Sequence, residues 1–306
     1  MTAELDFIAL LRTVAASPGA RGLLDDVAVF DGLVLTHDTI AEGVHYLAGD
    51  PPESVAGKLV AVTLSDLAAK GAAPAGALLA YCLGEEDWDW RFTAGLGEAL
   101  AEYGCPLLGG DTIALPDGAP RVLGLTAIGR AGPRVPDRAG GRPGDELWLA
   151  GTLGDSAAGL AMLLDDPAAA GPLVEAYRRP RALFAEGQAL APHASAMMDV
   201  SDGLLIDLQR LAAASGCAAR VELDALPLSE AFRAARGEGL EARLFAATGG
   251  DDYALLAALP PRAEEAVGPP GGIFRIGALA AGSGITLGFR GADVPVPGRP
   301  GYEHRR

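Results

Sequence analysis

Lysine is nearly absent from this 306-residue chain. Of its 24 basic residues only Lys58 and Lys70 are lysines, against 40 acids, for a formal charge of −16. A surface so short of positive charge argues against nonspecific binding to nucleic acid or an anionic membrane, since both depend on neutralising phosphates with Lys and Arg. A polyanionic ligand would have to be met by something other than lysine, and a divalent metal is the obvious candidate. Cysteine is scarce as well. Cys82, Cys105 and Cys217 stand far apart with no C-x-x-C spacing, which speaks against a disulfide framework or a zinc knuckle and fits a reducing cytosol. No uninterrupted apolar run approaches the roughly 18 residues of a membrane span. The opening "MTAELDF" carries acid where a signal peptide needs base. The expectation is a soluble, cytoplasmic protein.

Familiar nucleotide and hydrolase signatures are also missing. Gly57-Lys58 lacks the upstream glycine and the following Ser/Thr of a phosphate-binding P-loop, and no G-x-G-x-x-G occurs. "DVSDG" has Asp199 where a nucleophile elbow needs glycine, and no H-E-x-x-H is present among the four histidines.

Half of the residues are hydrophobic, enough for a sizeable core, and the length suits two domains. Apolar spacing predicts a helix over 4–15, then β-runs at 27–30 and 33–40 joined by the hairpin signal Asp31-Gly32. An Ala- and Leu-rich helix is expected over 53–70. A strand at 75–83, a helix at 88–103, a strand entering "PLLGGDT" and another at 121–130 follow, which makes an α/β layer. The stretch 129–145, with three prolines and five glycines, is the expected boundary between domains 1–135 and 136–306. Beyond it come "ELWLAG" as strand, "DSAAGLAMLL" and 181–191 as helices, and "SAMMDVS" as strand. A helix follows with Leu204, Leu205, Leu208, Leu211 and Ala212 on one face and Gly216 as its stop. Strand-like runs near 219–223, 253–258 and 273–279 complete a second α/β domain.

One arrangement recurs: an apolar run, then small residues, then aspartate. It gives Asp38 in "LVLTHD", Asp66 in "VAVTLSD", Asp111 in "PLLGGD", Asp199 and Asp202 in "SAMMDVSD", and Asp251 and Asp252 in "FAATGGDD"; Asp26 opens a strand. Taken singly these are unremarkable, since aspartate after glycine is common in turns and Ser201-Asp202 reads as a helix N-cap. Together they form a set of hard oxygen donors that repel one another unless a cation sits between them. Such donors favour Mg²⁺ or Ca²⁺ over zinc. Since Mg²⁺ commonly completes its octahedron with phosphate oxygens, a nucleotide-phosphate site follows.

The ordered segments "DDVAVF", "THDTIAEGVHY", "TLSDLAAKGAAP", "GGDT", "GTLGDSAAGLA", "DVSDGLLIDLQRLAAASG" and "GGDDYALL" resemble the bacterial thiamine-monophosphate kinase family. That family lies within the ATP-binding superfamily of aminoimidazole ribonucleotide synthetase. The resemblance runs from about residue 20 to residue 256. It implies a two-domain fold, with an N-terminal mixed sheet and helices and a C-terminal α/β domain, and Mg²⁺-dependent transfer of the ATP γ-phosphoryl group to thiamine monophosphate. Carried over by position, Asp26, Asp38, Asp66, Asp111, Asp199 and Asp202 resemble metal ligands, with Thr36 and His37 contributing backbone or local oxygen contacts. Gly110, Asp111, Arg138 and Ser201 match positions at ATP, and His45 and Asp251 match positions at the acceptor. The resemblance also implies a homodimer formed through the N-terminal sheets. Three departures stand out: Leu24 replaces a glycine, Asp251 a glutamate, and Arg299-Pro300 a tryptophan before "GY". They keep open a different acceptor or a nucleotide-binding protein without turnover. Selenophosphate synthetases and hydrogenase-maturation relatives are disfavoured, because neither end of the sequence has their reactive cysteine.

Overall fold

The computed structural model describes residues 3–116, 118–263 and 272–303; Met1, Thr2 and the last three residues of the "GYEHRR" tail lie outside them. Helix α1 (Ala3–Leu11) is shorter than the periodicity predicts, because Arg12–Ala15 continue only as turns. Strands β1 (Ala28–Phe30) and β2 (Leu33–Ala41) pair as the expected hairpin. At its tip both Asp31 (φ 51°) and Gly32 (φ 75°) adopt the left-handed conformation that a tight two-residue hairpin needs. Helix α2 (Pro52–Ala69), β3 (Ala73–Leu83), α3 (Glu86–Glu102), β4 (Leu107–Ala114) and β5 (Val122–Arg130) complete a five-stranded sheet in the order β1-β2-β5-β3-β4. Only β3 and β4 run parallel.

The second sheet has seven strands in the order β12-β11-β8-β10-β6-β9-β7. These are β6 (Glu146–Ala150), β7 (Ala196–Val200), β8 (Cys217–Glu222), β9 (Ala254–Leu259), β10 (Ile273–Ala281), β11 (Gly284–Phe289) and β12 (Ala292–Val294). Helices α4 (Asp155–Asp165), α5 (Pro172–Arg178), α6 (Phe184–Leu190), α7 (Leu204–Ala214), α8 (Glu230–Arg236) and α9 (Leu240–Thr248) accompany them. On α7, Leu204, Leu205, Leu208, Leu211 and Ala212 are all buried as their spacing predicts, and Gly216 turns the chain out at φ 65°. The expected N-cap role of Ser201-Asp202 is not realised: Gly203 holds that position, with no side-chain cap. Short elements escaped the periodicity: α5, α8, α9, β11 and β12.

Helix α2 is the shared wall of the two sheets. It packs on β2 and β5 on one side and on α6, β7 and β9 on the other, so fifteen of its residues are buried. Ala68 and Ala69 join Met197, Leu255 and Leu190 in one apolar cluster, whose burial stabilises at roughly 25 cal/mol per Å². Lys70, at the C-terminal end of α2, is fully buried, donates to the Met197 carbonyl at 2.8 Å and pairs with Asp25 at 2.6 Å. Asp25 is equally buried and is also held by Arg21 at 2.5 Å, whose guanidinium reaches the carbonyls of Val135 and Pro136. Asp25 therefore ties both domains and their connection together. Asp25→Ala leaves a buried ammonium without its main partner, a loss on the order of 3–5 kcal/mol. Its melting temperature is expected to fall by several degrees in calorimetry, and an unchanged midpoint would refute the strut.

Candidate active site

The cavity lies where the N-terminal end of β1 and the C-terminal half of β2 meet the C-terminal end of β7. Asp26 precedes β1, Asp66 sits in the last turns of α2, and Asp199 closes β7. One carboxylate oxygen from each lies within 4.8 Å of the others. Asp38, on the α2-facing side of β2, lines the same cavity of about 650 Å³. Thr36, two residues earlier on that side, donates its hydroxyl to Asp66. His37 points to the opposite side of β2, where Nδ1 meets the Thr126 hydroxyl at 2.9 Å and Nε2 the Thr39 hydroxyl at 3.2 Å.

The electrostatics follow from this crowding. Burial, then the neighbouring Asp38, Asp199 and Asp26 charges, push Asp66 well above the usual carboxylate range. Burial and the Asp26 charge do the same to Asp199, and raise Asp38 to about 6. Burial also works against an ionised Asp26, but Lys70 and Arg138 outweigh it and hold that group below its ordinary value. Asp26 Oδ2 and Asp38 Oδ2 are buried oxygens with no hydrogen-bond donor, although Lys70 Nζ lies 3.2 Å from the former. Buried acceptors without donors, converging with two further carboxylates, are a donor set that fits a hard divalent cation.

The other end of the cavity is built by three segments that zip together. The Asp251 amide donates to the Ser201 carbonyl at 2.7 Å, the Tyr253 amide to Val200 at 2.9 Å, and the Tyr302 amide to Asp202 at 2.8 Å. Asp251 (φ 72°) and Tyr253 (φ 53°) are both left-handed, a conformation that costs a non-glycine residue about 1–2 kcal/mol. Gly250 is required between them and Ser201, since a Cβ there would come within 2.6 Å of the Ser201 carbonyl. The Asp251 carboxylate takes Lys58 at 2.5 Å and the Ser156 hydroxyl at 2.8 Å, both on Oδ2. His45 also lines the cavity; its Nδ1 accepts from the Ala41 amide at 3.0 Å, so the neutral ring carries its proton on Nε2.

Asp26, Asp38, His45, Asp66, Asp199, Ser201, Asp202 and Asp251 all line this one cavity, and His37 borders it with its ring turned to the other side of β2. Arg138 stands behind it, bonded to Asp26, and Asp202 is engaged by Arg210 at 2.6 Å. Gly110 and Asp111 are elsewhere. Asp111 on β4 shares a sheet row with Ala80, Gly124 and Thr39, which places it three strands, or about 14 Å, from β2. The sequence reading missed Tyr177, Ser156 and Tyr302 in the cavity wall. Ser156 lay inside the quoted "GTLGDSAAGLA", and Tyr302 beside the noted absence of tryptophan. Tyr177 offered no signal beyond one aromatic in a short helix. None of the lining side chains among the described residues is Lys or Arg.

Without a cation the acidic cluster destabilises the fold, and Asp38 reports it. Its carboxyl titrates near 3.8 when unperturbed and about 6 here, so the cost of the ionised form grows as pH rises from about 4 and is complete above about 6. In chelator, Asp38→Asn is expected to melt higher than the parent at pH 8, with the gap closing toward pH 4. A variant that melts no higher at pH 8 contradicts the repulsion.

Comparison with known proteins agrees with the two-domain architecture. Residues 24–131 match the model of the AIR synthase related protein N-terminal domain, and residues 142–286 that of the C-terminal domain. A thiamine-monophosphate kinase from Caulobacter vibrioides is 39% identical over 98% of this chain and 90% of its own length. One from Salmonella typhimurium is 41% identical over 78% of this chain and 76% of its own. The structure of AaThiL complexed with AMPPCP and TMP superposes with a TM-score of 0.84 at 31% identity, over 95% of this chain and 94% of that one. With its two domain types, its cavity of acids and these relatives, the chain belongs to the thiamine-monophosphate kinase family of AIR synthase related proteins.

Proposed function

We propose that this protein is a thiamine-monophosphate kinase that transfers the γ-phosphoryl group of ATP to thiamine monophosphate, giving thiamine diphosphate and ADP, with Mg²⁺ bound at the acidic cluster. The observation that carries the reading is a cavity with a floor of convergent carboxylates and no basic side chain among its described lining residues. Two polyanions meet there, and metal ions would supply most of the positive charge that such walls withhold. Asp26, Asp38, Asp66 and Asp199 are assigned as the principal metal ligands. Asp202 is a further one through the oxygen that Arg210 leaves, and Thr36 orients Asp66. When bound, Mg²⁺ neutralises charge on the phosphate oxygens.

An acceptor phosphate oxygen attacks the γ-phosphorus in line as the bridge to ADP breaks. That oxygen is already ionised at neutral pH, so no general base is required. The protein's part is positioning: Arg138 and the Ser201 loop at the nucleotide, His45, Asp251 and Tyr302 at the acceptor. Tyr302, on the wall beside Asp202, supplies an aromatic face where the sequence lacks tryptophan. The domain division at 135/136 is assigned to the β5–β6 connection, in keeping with the two family matches on either side of it.

A cytoplasmic homodimer completes the proposal. No helix among the described residues is long and apolar enough to cross a membrane. Edge strand β4 is exposed at every position and holds Leu107, Leu108 and Ile113 in solvent, an apolar strip that a second copy would cover. Gly110 and Asp111 sit on this strip, and their nucleotide role is proposed together with the pairing.

Two measurements test the reading. Purified protein with Mg-ATP is expected to convert thiamine monophosphate to thiamine diphosphate with stoichiometric ADP, to lose turnover in chelator, and to leave thiamine largely unused. ADP release that ignores the acceptor, or thiamine as the better acceptor, overturns it. Light scattering is expected to give twice the chain mass, and Leu108→Glu to give the monomer; a dimeric Leu108→Glu protein removes β4 from the interface.

A further inference from the structure

Lys58 occupies a position that packing alone would give to an apolar residue. It is 2% exposed, within a helix whose neighbouring Val55, Leu59, Val60 and Val62 are buried, and it is one of two lysines in the chain. A buried ammonium is costly unless it is paired, and a hydrophobic side chain of similar volume is often the more stable choice. What the charge does instead is directed at the cavity. Its Nζ lies 2.5 Å from Asp251 Oδ2 and 3.9 Å from the centre of the Tyr177 ring, and both of those side chains line the cavity.

On α2, Lys58, Val62 and Asp66 follow at i, i+4 and i+8, so they descend one stripe of the helix. Val62 and Asp66 themselves face the cavity. Eight residues of α-helix span about 12 Å. One rigid helix thus carries a carboxylate of the acidic cluster at one end of the site and the partner of Asp251 at the other. A molecule with its phosphate at the cluster has its far end beside Asp251. Two donors, Lys58 Nζ and Ser156 Oγ, converge on Oδ2 and fix the rotation of that carboxylate, which a left-handed backbone already presents.

We propose that Lys58 is the positioning residue of the acceptor site. It sets the direction of the Asp251 carboxylate and cancels its charge, so that Asp251 recognises the ring end of the acceptor by hydrogen bonding rather than as a free anion. The aspartate, one methylene shorter than glutamate, works because α2 delivers the ammonium to it. The inference rests on the proposed kinase reading.

Steady-state kinetics of Lys58→Met test it. The KM for thiamine monophosphate is expected to rise at least tenfold, with kcat within about threefold and the KM for Mg-ATP within about twofold. The double variant Lys58→Met/Asp251→Asn is expected to be no worse than the poorer single variant, because the two side chains act as one unit. An unchanged acceptor KM, a loss confined to kcat, or penalties that multiply would overturn the role. Should Lys58→Met not fold, Ser156→Ala removes the other donor to the same oxygen and is expected to raise the same KM alone. A parent protein that makes no thiamine diphosphate overturns the kinase reading and this inference with it; an active parent with an unmoved acceptor KM overturns the inference only.

Discussion

Mutual repulsion among Asp26, Asp38, Asp66 and Asp199 is the constraint that the rest of the structure accommodates. Four carboxylates buried this closely do not stay ionised together without compensation, and three of them are pushed upward accordingly. The fold tolerates them because each sits on a different element that is anchored independently. Asp66 is locked into a helix buried on both sides, Asp199 into an edge strand that is buried throughout, and Asp26 beside the Lys70–Asp25–Arg21 strut. Lys70 of the strut and Arg138 of the interdomain connection are the two cations that keep Asp26 ionised while its neighbours resist. The price in stability is the usual one for a site prepared for a ligand that is not yet there.

Charge is distributed along the cavity in a gradient. At one end the acids are uncompensated and wait for cations. At the other, Asp251 is already matched by Lys58, and the surroundings are aromatic: Tyr177, Tyr253 and Tyr302. A ligand with an anionic end and an aromatic, hydrogen-bonding end fits that gradient in one orientation. Helix α2 makes the two ends a fixed distance apart, because both Asp66 and Lys58 project from it and both sheets clamp it.

Much of this was legible in the sequence, for identifiable reasons. Long amphipathic or alternating segments such as α7 and the β1–β2 hairpin declare themselves through local periodicity. The aspartates were found because each follows or opens an apolar run, although Asp38 lies within β2, Asp66 within α2 and Asp111 within β4 and not at the element ends that the pattern suggests. Short elements were lost: α8, at seven residues, and β12, at three, contain too few turns or alternations to carry a period. Contacts that join distant segments were lost as well. Nothing local distinguishes Lys58, first met as part of a failed P-loop, from any helical lysine, and nothing in "PLLGGD" places Asp111 at the far edge of its sheet. Asp25 and Asp26 are adjacent in sequence yet serve a strut and a site, a division made by the neighbouring Arg21 and by Lys70 and Arg138 arriving from two other segments.

The burial of both lysines has one more consequence, for the protein's chemistry as a reagent target. With Lys58 at 2% and Lys70 at 0% exposure, the folded molecule offers no lysine amine to acylating labels, amine crosslinkers or lysine-modifying enzymes. Among the described residues, the cationic Lys and Arg contacts of the outer surface are therefore made by guanidinium. A lysine that becomes acylated therefore marks a molecule whose α2 helix has come apart from its sheets, which turns amine labelling into a direct readout of that helix's release.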